Sequence, residues 1–160
     1  MQLYLLRHGI AEDGRPGQSD SDRALTSEGF AKLRGVLEAA RDAGVSPSLI
    51  LTSPYRRALE TAQVAAQALH YKEDLLRTPA LTPESTPEAV WEELRLHNGE
   101  PQILAAGHEP LFSALTGFLL GCPNLPLDFK KGAMVRIDFE RLGPQPHGVL
   151  KWMLTPKLAR

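Results

Sequence analysis

Three short apolar runs constrain this chain most, because each ends in a polar cluster and leads into a helical pattern. The first covers residues 3–6 and runs into Arg7, His8 and Gly9. The second lies in SLILTSP at 48–54, and the third covers residues 103–106 before Gly107, His108 and Glu109. Short runs this apolar read as strands buried on both faces of a sheet. Between them the apolar period changes to that of helices. Thr26 stands as the N-cap of a helix with Ser27 and Glu28 in its first turn. Phe30, Leu33, Val36, Leu37 and Ala40 recur at helical spacing until Gly44. A second helix is predicted from Tyr55 to Leu69, opened by Pro54, with Leu59, Ala62, Ala65, Ala66 and Leu69 packing inward. Thr86 and Pro87 cap and open a third that runs to about His97, before Asn98 and Gly99; a fourth covers residues 111–120.

Less regular segments complete the reading. Residues 14–23, rich in Gly, Ser, Asp and Arg, read as a mobile loop, and residues 75–81 as a strand interrupted by Pro79. AMVRIDFE (133–140) and GVLKWML (148–154) alternate like paired antiparallel strands. The fold class expected is α/β: a three-layer α/β/α sandwich with a mainly parallel mixed sheet and a C-terminal antiparallel hairpin. Residues 1–160 are expected to form a single domain.

Charge narrows the partners. With 18 basic and 19 acidic residues the net charge is −1, so no global field favours nucleic acid or an anionic membrane. A local cationic pocket is still compatible with that balance. The apolar stretch at residues 3–6 is too short for a signal-peptide core, and that at 111–121 too short to span a bilayer. A cytoplasmic protein is the expectation. Cys122 has no partner for an intramolecular disulfide and reads as a small buried hydrophobe. His70, His97 and His147 read as surface residues, and Trp91 and Trp152 as packing. No Cys/His cluster has metal-ligand spacing, so neither a metal nor a cofactor is expected.

The three polar clusters share one position: immediately after a parallel strand. The carboxyl ends of such strands line one edge of the sheet, where Arg7-His8-Gly9, Ser53-Pro54-Tyr55-Arg56-Arg57 and Gly107-His108-Glu109 converge. Arginines present a planar fork of donors that fits phosphate oxygens. Helix starts after Ser53 and His108 would add backbone N–H groups. A neutral histidine can attack phosphorus and carry the phosphoryl group until water removes it. Neighbouring arginines favour that neutral form.

The chain resembles the histidine phosphatase, or phosphoglycerate mutase-like, superfamily, and within it the short SixA-type phosphohistidine phosphatase branch. RHG at 7–9, TSPYRRALETA at 52–62 and GHEP at 107–110 match the family's ordered motifs; RALT at 23–26 and WMLTP at 152–156 resemble that branch. The resemblance implies His8 as the nucleophile, with Arg7, Arg57 and His108 around the phosphate. Arg57 is selected because the family's pocket arginine directly precedes alanine, which leaves Arg56 at the rim or in solvent. Gly9, Ser53 and Glu109 are expected to assist substrate binding. Many relatives carry a threonine two residues after the RHG glycine and a glutamate acid in a mid-chain insertion. Here Ile10 and Ala11 follow Gly9, and Glu84 is the only acid at a comparable place. Glu12, Asp13, Asp20 and Asp22 read as solvated loop residues. An imidazole leaving group needs less proton donation than an alkoxide, which points to protein phosphohistidine, for example on a histidine phosphotransfer domain. The alternatives are a small-molecule phosphomonoesterase of the same superfamily, acting on a small phosphorylated substrate, and a non-catalytic phosphoprotein-binding module.

Overall fold

The first strand, β1 (Gln2–Arg7), lies inside the sheet and explains why its sequence is continuously apolar. Leu3 and Leu5 face one side and Tyr4 and Leu6 the other, and all four are at most 1% exposed. The computed structural model describes residues 1–159. Its six strands stand in the order β3-β2-β4-β1-β5-β6, with β2 at Leu49–Thr52, β3 at Leu76–Arg77 and β4 at Gln102–Gly107. β5 (Met134–Asp138) and β6 (Val149–Leu154) complete it. β1, β2, β3 and β4 are parallel, while β5 pairs antiparallel with both β1 and β6. This is the mixed, mainly parallel sheet with a terminal hairpin that the strand patterns predict.

Helices cover both faces. α1 (Ser27–Asp42) and α2 (Arg56–Ala68) bury Leu33, Val36, Leu37, Ala62 and Ala65 against Tyr4, Leu6 and Leu104. α3 (Pro87–Arg95) and α4 (Leu111–Leu119) bury Trp91, Leu94, Phe112 and Leu115 against Leu3, Leu5 and Ile103. The caps act as read: Thr26 Oγ1 accepts from the Gly29 amide at 2.9 Å, and Thr86 Oγ1 from that of Ala89 at 3.2 Å. Gly29 also permits a close crossing. A Cβ there would fall 2.3 Å from the Ile10 carbonyl oxygen, so any side chain would push away the segment that follows His8.

Several expectations are corrected. β3 is only two residues long, because Pro79 has no N–H for the ladder and opens a 3-10 turn at Pro79–Leu81. Tyr55 is the N-cap of α2, so Pro54 precedes the cap instead of opening the helix. The inward side of α2 carries Arg57, Ala58, Thr61 and Val64 besides Ala62 and Ala65, while Leu59 and Ala66 are half-buried. α3 stops at Arg95, directly after Leu94, its last buried side chain, and His97 is half-buried beside Glu93. The segment read as a mobile loop contains a 3-10 turn at Asp20–Asp22. Cys122 is exposed, because it lies in the surface turn that Gly121 (φ +73) makes after α4. Among the described residues no helix is long and apolar enough to cross a membrane.

Candidate active site

Pairing continues just past the strand ends and sets the three clusters side by side. The His8 amide donates to the Gly107 carbonyl at 2.9 Å, and the Ser53 amide to that of Ala106 at 3.0 Å. His8 and His108 are buried there with ring centroids 5.1 Å apart.

A hydrogen bond to the backbone fixes the tautomer of His8. His8 Nδ1 lies 2.7 Å from the Gly9 carbonyl oxygen, which can only accept, so Nδ1 carries the proton. Its Nε2 is left with a lone pair, and Arg57 Nε points at it from 3.4 Å. On His108, Nε2 lies 2.8 Å from the Ser53 hydroxyl. That hydroxyl accepts from the Tyr55 amide at 3.2 Å and keeps its own hydrogen to donate. Where the hydroxyl gives that hydrogen to Nε2, His108 is protonated on Nδ1, a buried atom with no hydrogen-bond partner among the described residues. An orphaned buried donor calls for an acceptor, and an oxyanion would supply one.

Burial is the main influence on both imidazoles. It pulls His8 down to about 4; the Gly9 hydrogen bond opposes it, and the charges of Arg57, Arg7 and Lys131 reinforce it. His108 falls to about 3 through burial, then through His8 and Arg57, with Asp20 opposing. Both rings are neutral at pH 7.

Arg57 enters from the first turn of α2 with its side chain 7% exposed, whereas that of Arg56 is 56% exposed and pairs with Glu60 at 3.6 Å. Adjacent helical residues point about 100° apart, which explains the separation. Thr61, one turn on, ties the helix to the strand end. Its hydroxyl donates to the Arg57 carbonyl at 2.7 Å and accepts from the Gly9 amide at 3.2 Å. Arg7 Nη1 donates to the Phe129 carbonyl at 2.6 Å, while its Nε is buried with no hydrogen-bond partner among the described residues. The Gly132 amide, next to Lys131, donates to both the Arg7 and His8 carbonyls at 3.2 and 3.1 Å.

Not every expected residue faces the histidines. The Glu109 carboxylate accepts from the Ser113 amide at 2.7 Å and its hydroxyl at 2.6 Å, so it occupies donors of α4 instead of leaving them to a ligand. Glu84 stands at the rim, accepting from the Tyr55 hydroxyl at 3.0 Å, and the Tyr55 ring meets His108 edge-on at 5.2 Å. Asp20, read from the sequence as merely solvated, bonds Arg57 directly. No periodic pattern marks a loop carboxylate, so only the fold reveals that contact. A cavity of about 1260 Å³ lies elsewhere, among Phe139, Arg141, His147 and Lys151 near the opposite sheet edge.

The carboxyl edge of this α/β sheet holds two buried histidines, the buried Arg57 and the half-buried Arg7, a set of donors whose chemistry suits an anion. The family model of the histidine phosphatase superfamily (branch 1) matches residues 3–82. The chain belongs to that superfamily. It is 28% identical over 159 residues to the phosphohistidine phosphatase SixA of Escherichia coli, covering 98% of this chain and 94% of that one. The structure of the protein histidine phosphatase SixA complexed with tungstate superposes with a TM-score of 0.88 at 26% identity, covering both chains completely. An uncharacterised protein of Picosynechococcus is 41% identical over 68 residues, and the chain covers 41% of its length.

Proposed function

We propose that the protein is a metal-independent phosphatase that hydrolyses protein phosphohistidine through a covalent intermediate on His8. The observation that carries this reading is the Nδ1–Gly9 hydrogen bond, which leaves the His8 Nε2 lone pair inside a pocket of arginine donors. Nε2 attacks phosphorus, the bond from phosphorus to the substrate imidazole breaks, and that nitrogen takes up a proton. Water then cleaves phospho-His8 and releases inorganic phosphate. Arg7 Nε and His108 Nδ1 donate to the equatorial oxygens, where charge accumulates, and Arg57 turns its Nε–H from His8 to the same group. Full-length similarity to SixA supports phosphohistidine as the substrate. So does the tie between Glu84, an acid at the rim, and Tyr55, which suits a leaving group that needs little acid assistance.

The test compares phosphate release from a phosphohistidine protein with release from p-nitrophenyl phosphate, both in excess chelator. A strong preference for phosphohistidine is expected. Preference for the ester would move the function to small phosphoesters, and binding without turnover of either would make the protein a phosphoprotein-binding module.

The pH dependence has a definite sign. Nε2 attacks only while unprotonated, so kcat/KM should hold well below the ordinary histidine range and be lost as pH falls through about 4. Stability changes earlier. Both folded pKa values lie below the unfolded one, so the unfolded chain binds protons first. Their contribution is complete above 6.5, the ordinary histidine value, and declines as pH falls from there towards about 4 for His8 and about 3 for His108. Urea unfolding at each pH separates the two effects; an acid limb centred near 6.5 in a fully folded enzyme would contradict the assignment.

A further inference from the structure

Asp20 occupies an unusual position for an exposed loop residue. Its backbone carbonyl accepts from Arg57 Nη1 at 2.9 Å and its carboxylate from Arg57 Nη2 at 3.1 Å. With Nε on His8, every nitrogen of this buried guanidinium has a partner before any ligand arrives. The same carboxylate reaches Arg23 Nη1 through its other oxygen at 2.9 Å, and Arg23 Nε is fixed on the Glu12 carbonyl at 2.7 Å. The hydrogen bond from Arg23 is the largest influence holding the Asp20 carboxyl below its usual range; burial opposes it and the charge of Arg57 adds to it. An anion therefore sits on the pocket arginine at neutral pH.

The segment bearing it is lightly held. None of the residues in the Asp20–Asp22 turn is buried, and the Asp20 side chain is 57% exposed against 7% for Arg57. Segments anchored by polar contacts without buried apolar area open at low cost. A phosphoryl dianion on the Nε edge of Arg57 would share that cation with Asp20, and like charges around one cation repel.

We propose that Asp20 is a built-in competing anion that draws on the charge of Arg57 and lowers the affinity of the pocket for phosphate-like dianions. Its use is turnover, because a pocket that held inorganic phosphate tightly would be inhibited by its own product. The inference rests on the phosphoryl-binding reading of the pocket. It differs from a role in which Asp20 merely positions Arg57, since the two roles predict opposite signs.

Equilibrium binding of tungstate to the full chain tests it without requiring any substrate. D20N keeps a hydrogen-bonding side chain and removes the charge, so tungstate should bind about fivefold or more tightly, and inorganic phosphate should become a stronger product inhibitor. D22N removes a charge from the same turn without touching Arg57 and should change tungstate binding by less than about twofold. In the R57A background, D20N should lose its effect. Unchanged or weaker binding in D20N would overturn the proposal and make Asp20 a positioning residue. An equal gain in D22N would also overturn it, by reducing the effect to net charge. If neither the native chain nor D20N binds tungstate, the anion-pocket reading itself fails and the proposal falls with it.

Discussion

Replacement of His8 by alanine is expected to abolish turnover, lowering kcat by roughly 10⁴-fold or more, because no other group can carry the phosphoryl. The candidates for a substitute are few. His108 is the other imidazole within the pocket, but its Nε2 is occupied by the Ser53 hydroxyl, and with that hydroxyl donating, its Nδ1 carries the proton. A ring arranged in that way donates to an oxyanion and cannot attack phosphorus. The variant should still fold. The residues of β1 that build both cores, Leu3 to Leu6, precede His8, and the losses are two side-chain hydrogen bonds, with the Gly9 carbonyl and from Arg57 Nε, and a small cavity. Those losses amount to about 1–3 kcal/mol. The chemical readout is acid-labile, alkali-stable phosphate on the native chain after rapid quenching, absent in H8A. Normal turnover by a folded H8A would remove His8 from the mechanism. Tungstate binding that survives in H8A would assign the loss to the nucleophile and not to the pocket.

The parts of this fold that were legible in the sequence are those in which one physical demand dominates. β1, β2 and β4 are buried on both faces, so their residues had to be apolar in succession, and the polar residues after them had to fall on one edge. Thr26 and Thr86 were legible because a cap is a local event. β3 was not, because an edge strand of two residues needs little of its sequence. Within the site, the histidines and Ser53 follow from strand ends, and the choice of Arg57 over Arg56 from the resemblance. Glu109 is adjacent to His108 in sequence, yet its carboxylate finds stronger donors in Ser113, one helical turn away. Asp20 was missed for the opposite reason. It stands 37 residues from Arg57 in a segment without period, and only tertiary structure joins the two. Contacts of that kind, a loop carboxylate on a helix cation, leave no trace in spacing or composition.

The two adjacent arginines provide the second large expected effect. R57A should lower kcat/KM by about 10² to 10³-fold, the usual cost of one oxyanion donor, whereas R56A should change it by less than about twofold. The contrast follows from geometry. Arg57 reaches His8 Nε2 and is almost wholly buried, so its charge acts where water cannot screen it. Arg56 faces solvent and holds Glu60 at 3.6 Å, a surface pair that contributes little to stability. R57K separates charge from shape: the ammonium keeps the cation but lacks the planar fork, so it should recover only part of the loss. Its pattern also distinguishes binding from chemistry. If Arg57 acts mainly on the transferring oxygens, R57K lowers kcat more than it raises KM, because those oxygens gain charge only as the bond breaks. A larger effect from R56A than from R57A would mean that the protein presents the other face of α2 to its substrate, and the anion pocket would then have to be rebuilt around the exposed residue.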